Sequence, residues 1–385
     1  MQRRAFTHGM LAAVAALPGA LVGQASHAAT AARRPIPSHR SVSEYSLAQA
    51  EQTHEILQVP GTSTVLISQM GPSSLLKVAI GPTGRDVESV RAFPIGAADA
   101  GLHGLAQSRS HPGKVWCTLE GDDRVLLLDP VAARAAARPS VLKSIPMPRG
   151  VHGPHYVGEY DGELWITCKA SEHVVRLDPR HPERAVVYPA LPKPIFVARH
   201  PVSGEFYVSQ DAASSIMRVN RATGRTQQIP VPESAGSTPV GLIAGPDRLW
   251  VALLGTAQSG TGTLGSIAAD GQLHWHRLRS PLAADASLLH LTFDPPGRGT
   301  THRMWLLGSS IVDDKALDMV IRVEFDEHWS SIRAEDSVVL PTQRCKAHRL
   351  LAMPNAVLAT ELATSTLAVL DRPATSSRNS DQDRS

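Results

Sequence analysis

Five histidines, His54, His103, His155, His290 and His348, align at one position in five copies of a degenerate repeat. Imidazole is the commonest metal ligand among side chains and the usual proton carrier near neutral pH. An aligned set is therefore a candidate for metal binding, base catalysis or both. The copies read Thr53-His54-Glu55, Leu102-His103-Gly104, Pro154-His155-Tyr156, Leu289-His290-Leu291 and Ala347-His348-Arg349, with Ile195 and Val240 in the two remaining ones. One such histidine alone is most simply a core or solvated side chain. Five call for a shared reason, because a repeat closed into a ring carries equivalent positions to a common axis. The filled copies are contiguous around that ring, the sixth, seventh, first, second and third, with an apolar arc opposite. This layout suits a site that grips a polar centre on one side and an apolar substrate on the other.

The elements that position these residues are short strands. Lys114-Val115-Trp116-Cys117-Thr118 is followed by Arg124-Val125-Leu126-Leu127-Leu128-Asp129-Pro130. Glu163-Leu164-Trp165-Ile166-Thr167 is followed by His173-Val174-Val175-Arg176-Leu177-Asp178-Pro179. The same shape recurs as Glu205-Phe206-Tyr207-Val208-Ser209 followed by Ser215-Ile216-Met217-Arg218-Val219-Asn220, and fainter copies surround Ile67, Trp250, Trp305 and Leu358. Apolar runs rich in β-branched residues, punctuated by Gly, Pro, Asp and Asn, predict strands and turns. Most copies end in an extended apolar–Pro segment, such as Phe93-Pro94 or Ile145-Pro146, where an outer edge strand can spare an N–H. The aligned positions lie 40 to 58 residues apart, the range of propeller blades. The last copy lacks its own outer strand, and Ser43-Glu44-Tyr45-Ser46-Leu47 can supply it. The expected fold is all-β: a seven-bladed β-propeller of four-stranded blades over residues 41–373, its ring closed by an N-terminal strand. Val131 to Ser140 reads as a helical turn or a loop.

Residues 1–31 carry Arg3-Arg4 before an apolar run and then small residues, the pattern of an export signal of twin-arginine type. The run is too short to span a bilayer, so a periplasmic or secreted protein with no stable membrane insertion is expected. Residues 32–40 read as a linker and 374–385 as a disordered polar tail. Lys and Arg total 38 against 35 Asp and Glu. With no basic stripe interleaved with aromatics, nucleic-acid binding is not expected. Three cysteines offer no disulfide framework. Cys117 and Cys168 read as buried apolar residues, whereas Cys345, three before His348, could be a soft ligand. His152 could compete with His155 for the inward place, while His111, His173, His181, His200, His302 and His328 read as surface. Antiparallel geometry returns the second strand of each blade to the mouth where the inner strand starts. Its last residue in the seventh copy is Glu361, predicted to pair with His348.

The repeat, with its Asp161-Gly162-Glu163-Leu164-Trp165 and Gly245-Pro246-Asp247-Arg248-Leu249-Trp250 segments, resembles the virginiamycin B lyase (streptogramin lyase) family over nearly the whole mature chain. The resemblance implies a seven-bladed propeller that opens a cyclic depsipeptide ester by elimination, with Mg²⁺ and a histidine base. It implies His348 as that base, His290 as a second catalytic histidine and Glu361 as a metal ligand. The family's other metal-binding glutamate corresponds to Lys346 here, which removes a hard oxygen ligand. The added His54, His103 and His155 point instead to a nitrogen-rich site suited to Zn, Fe or Cu. The full expected ligand set is Glu361, His54, His103, His155, His290 and His348. In the chemistry so implied, the metal polarises an ester carbonyl, neutral His348 takes the adjacent C–H proton, Glu361 holds its tautomer, and the carboxylate leaves without water. The substrate would be a small molecule or cyclic peptide, and a monomer is expected. A His-ligated Fe or Cu oxidoreductase, a cyclase and a non-enzymatic binding propeller are the alternatives.

Overall fold

The computed structural model describes residues 41–295 and 302–372. The expected leader, linker and tail lie outside them. The apolar runs form strands from Val42 to Asp371, arranged as seven four-stranded antiparallel sheets. Each blade's inner strand starts at or just before the aligned position: Thr53–Gln58, Leu102–Gln107, Pro154–Tyr160, Pro194–Arg199, Pro239–Ala244, Leu288–Phe293 and Ala347–Ala352. In the seventh blade, Val42–Ser46 pairs antiparallel with Thr366–Leu370, so the outer strand comes from the other end of the chain.

Two turns recur in most of the blades. Asp123, Glu172, Ser214 and Ser365, each just before a third strand, have φ between 44° and 59°. Gly101, Gly153, Lys193, Thr238 and Lys346, each just before an inner strand, are left-handed too. Between blades the packing is aliphatic with aromatic contacts at several junctions. Trp116, Trp165, Trp250 and Trp305 are buried, and Trp165 stacks on Phe206 of the following blade at 3.7 Å. A tryptophan of this kind removes about 200 Å² from water, on the order of 5 kcal/mol of gross transfer energy. This explains why the Leu–Trp strand is the most legible part of the repeat.

Two expectations need correction or sharpening. His200, read as a surface residue from its Arg199-His200-Pro201 context, is fully buried, and its Nε2–H donates to the Ile267 carbonyl at 3.0 Å. Its Nδ1 also accepts from the Val202 and Ser203 N–H groups at 3.2 Å, so both ring nitrogens are satisfied in the buried place. The stretch from Val131 is a loop, captured by the Lys77 ammonium, which donates to the carbonyls of Val131, Arg134 and Ala137 at 3.0, 2.7 and 3.0 Å.

Candidate functional site

Near its start, each inner strand carries a bulge. That bulge would leave an inner-strand N–H and a carbonyl of the neighbouring blade without ladder partners. A hydroxyl from the second strand takes both. Thr118 Oγ1 accepts from Gly104 N–H at 2.8 Å and donates to the His155 carbonyl of the next blade at 3.1 Å. Thr360 does the same for Arg349 and His54, and Ser68 for Glu55 and His103. Thr167 and Ser209 continue the series. Five junctions are thus stitched, and they fix the aligned residues of the next blade.

Four imidazoles stand side by side on this frame, from the seventh blade to the third. Ring centroids are 4.4 Å apart for His348 and His54, 4.1 Å for His54 and His103, and 3.9 Å for His103 and His155. The row is directional. His54 Nε2–H donates to the Gln52 side-chain oxygen at 2.8 Å, so its Nδ1 accepts from His348 Nε2–H at 2.9 Å. This leaves a lone pair on His348 Nδ1, which is buried and without a hydrogen-bond partner among the described residues. At the other end, His103 Nδ1–H donates to the His155 carbonyl at 2.9 Å, leaving its Nε2 buried and equally unpartnered. His155 Nδ1 lies 3.2 Å from a Glu120 carboxylate oxygen.

Burial holds these rings neutral. It pushes His54, His103 and His348 well below the ordinary imidazole value, with the Arg349 guanidinium adding to the effect in each. Burial takes His155 down to about 4, against the opposing pull of Glu120. Burial alone would raise the Glu120 carboxyl, but its hydrogen bond and charge contact with His155, with Lys169 nearby, leave it below its usual value.

One residue further along the strands lies a second layer. Arg349 pairs with Glu55 at 3.2 Å, and its guanidinium stands over the Phe196 ring at 4.7 Å. Phe196 in turn meets Tyr156 at 4.9 Å and His290 at 6.0 Å. Arg349 belongs to the seventh blade and Phe196 to the fourth, so their contact bridges the axis.

Several expected site residues move in this picture. His54, His103, His155 and His348 come together as predicted, but His290 does not join them. Leu288 pairs with Gly308 as Ala347 pairs with Glu361 and Thr53 with Gln69, so Leu289 occupies the aligned position and His290 falls in the second layer. There its Nδ1 accepts from the Leu350 N–H at 3.1 Å. Glu361 is also displaced. It lies opposite Ala347, and since alternate residues point to opposite faces, it faces away from His348. Its carboxylate accepts from Thr366 and lies beside Cys345 and Glu44. Burial, with Glu44 adding to it, raises that carboxyl to about 7. Cys345 is buried there, away from the row. His152 is exposed and paired with Asp123 at 2.6 Å, leaving the inward place to His155. Glu120 was missed. It stands one residue beyond the second strand of its blade, and counting the alternation from Leu102 opposite Leu119 would have found it.

No protein-family model matches the sequence, and no curated protein matches it. Among solved structures, the chain is similar to selenomethionine-substituted virginiamycin B lyase from Staphylococcus aureus, with 16% identity, a TM-score of 0.66 and coverage of 87% of this chain and 100% of that one. A streptogramin B lyase matches with 18% identity and a TM-score of 0.64, over 86% of this chain and 97% of the other. A catalytically inactive histidine-to-alanine variant of the S. aureus enzyme, with quinupristin, matches at 14% identity and a TM-score of 0.67, over 87% and 100%. The chain has the fold of the virginiamycin B lyases. At these identities the likeness is one of fold, so the resident Mg²⁺ that the family resemblance implies must be judged on the residues present. Mg²⁺ asks for hard oxygen ligands. In the seventh blade Lys346 replaces one such ligand, and Glu361 is turned toward Thr366. These residues do not fit Mg²⁺. Among the described residues, the group whose nitrogen and oxygen atoms gather within 4.8 Å is His103, Glu120 and His155.

Proposed function

We propose that this chain is an exported lyase that opens an ester or lactone of a cyclic depsipeptide or related secondary metabolite by elimination, with His348 as the base. The observation that carries the reading is the free lone pair on His348 Nδ1, fixed by the hydrogen-bonded sequence through His54 to Gln52. The lyase fold supports it. The tautomer holder is therefore His54 rather than Glu361. In the step itself, His348 Nδ1 takes a proton from the carbon next to the one bearing the ester oxygen. The C–H pair becomes a C=C bond, the C–O bond breaks, and the carboxylate leaves. Arg349, behind the row, disfavours a resting imidazolium and so keeps the base ready. A positioned general base typically contributes about 10²–10⁴-fold.

Mass spectrometry of a cyclic depsipeptide lactone incubated with the purified protein tests this. Elimination yields a linear product of unchanged mass with a new double bond, whereas hydrolysis adds one water. His348→Ala should abolish turnover in a protein with unaltered strand content. Near-normal turnover by that variant, or a product one water heavier, sinks the assignment.

A further inference from the structure

We infer that His103, His155 and Glu120 form a binding site for a divalent first-row transition metal, separate from the His348 base. The inference goes beyond the lyase reading and does not depend on it.

Blade two supplies His103 from the start of its inner strand and Glu120 from just past its second strand, and blade three supplies His155. All three sit at the ends of rigid, paired strands rather than on long loops. The His155 carbonyl receives the His103 Nδ1–H, so His103 must carry its lone pair on Nε2. A backbone carbonyl that fixes the tautomer in this way is a recurrent second partner of metal-bound imidazole. That Nε2 is buried in a side chain only 2% exposed, with no hydrogen-bond partner. An orphaned buried nitrogen of this kind costs about 1–3 kcal/mol, which a metal ion would recover. The same Glu120 oxygen lies 3.9 Å from His103 Nε2 and 3.2 Å from His155 Nδ1; on binding, His155 Nδ1 exchanges its hydrogen bond to Glu120 for the metal, its proton moving to Nε2. Bonds of about 2.0–2.1 Å in tetrahedral arrangement separate ligand atoms by roughly 3.4 Å, so small side-chain shifts suffice. The 22% exposure of Glu120 leaves an entry path.

Two imidazoles and one carboxylate select the kind of ion. Nitrogen ligands favour Zn²⁺, Fe²⁺, Co²⁺ or Cu²⁺ over Mg²⁺. Lys169, whose charge reaches both His155 and Glu120, weakens any purely ionic attraction and sharpens that preference. His54 and His348 stand outside the site, since their facing nitrogens are spent on each other.

Titration of metal-stripped protein with Co²⁺, followed by visible absorption, tests the inference. Wild type should take up one equivalent, displaced by Zn²⁺ but not by millimolar Mg²⁺. His103→Ala and Glu120→Gln should each weaken binding at least tenfold, and His348→Ala should bind as wild type does. Glu120→Gln keeps the size and shape of a partly exposed side chain, so it carries the test should His103→Ala fail to fold. The inference is overturned by the absence of stoichiometric uptake, by unchanged affinity in Glu120→Gln, or by equal loss in His348→Ala. Metal uptake without elimination counts against the lyase reading alone, and elimination without metal uptake counts against the site alone.

Discussion

Removing the His54 imidazole leaves His348 free to place its proton on either nitrogen. His54→Ala should therefore lower turnover about 10–100-fold while leaving KM nearly unchanged, measured by steady-state kinetics on a substrate that wild type opens. The pH profile follows from the same row. Burial, Arg349, His54, His155 and His290 all hold the His348 value well below 6.5. The base form is thus populated throughout the neutral range, and kcat/KM should fall only as pH drops below about 6.5. An acid limb centred at or above 6.5 would contradict a buried neutral base. Four of the five aligned histidines could be recognised from spacing alone, because a repeat position is conserved in space even where the chain is degenerate. His290 misled because Leu288-Leu289-His290 offers two apolar residues for one position, and only the pairing with Gly308 decides between them. Glu361 misled through the parity of the strand: the residue opposite Ala347 cannot share a face with His348.

Within a blade, the hydroxyl of the second strand is the smallest part with a consequence for the site. Thr118→Val keeps the shape but strands the Gly104 N–H and takes one donor from the His155 carbonyl. It should cost about 1–3 kcal/mol in denaturant unfolding. Gly104→Ala should be at least as damaging, since its Cβ would meet the His155 carbonyl oxygen at 2.6 Å. Glu55→Ala would leave the Arg349 charge buried without its partner, a change that typically costs about 3–5 kcal/mol. The Ser and Thr residues were visible in the sequence as Ile67-Ser68, Cys117-Thr118, Ile166-Thr167, Val208-Ser209 and Ala359-Thr360. Their role was not, because a hydroxyl in a β-rich run reads equally well as a solvated strand face. Only the bulges turn it into the answer to a buried backbone problem. The Trp strands were legible because they are large and apolar. The ion pair between Glu55 and Arg349 was not, since its partners are joined across the two ends of the chain.

Over the whole molecule, the strand Val42–Ser46 makes five residue pairs with the last strand. Deleting it should cost roughly 1 kcal/mol per lost pair and expose an edge that promotes self-association, seen as a lower denaturant midpoint and larger species in sizing chromatography. Acid should weaken the fold through His276, which is buried against Trp250 and Phe325 and bonded to Ser266. Burial takes it from an unfolded value of 6.5 to about 4. Its contribution is therefore complete above pH 6.5 and is lost as pH falls toward 4, about 3 kcal/mol in all. His276→Phe should flatten that part of the stability profile. The contact of Arg349 with Phe196 across the axis has a kinetic consequence as well. On the proposed lyase reading, that bridge would block the space beneath the imidazoles, so a ligand entering there would have to back out the way it came. A freshly linearised chain would then linger at the doorway its successor needs, and turnover would be throttled by departure and competitively inhibited by product.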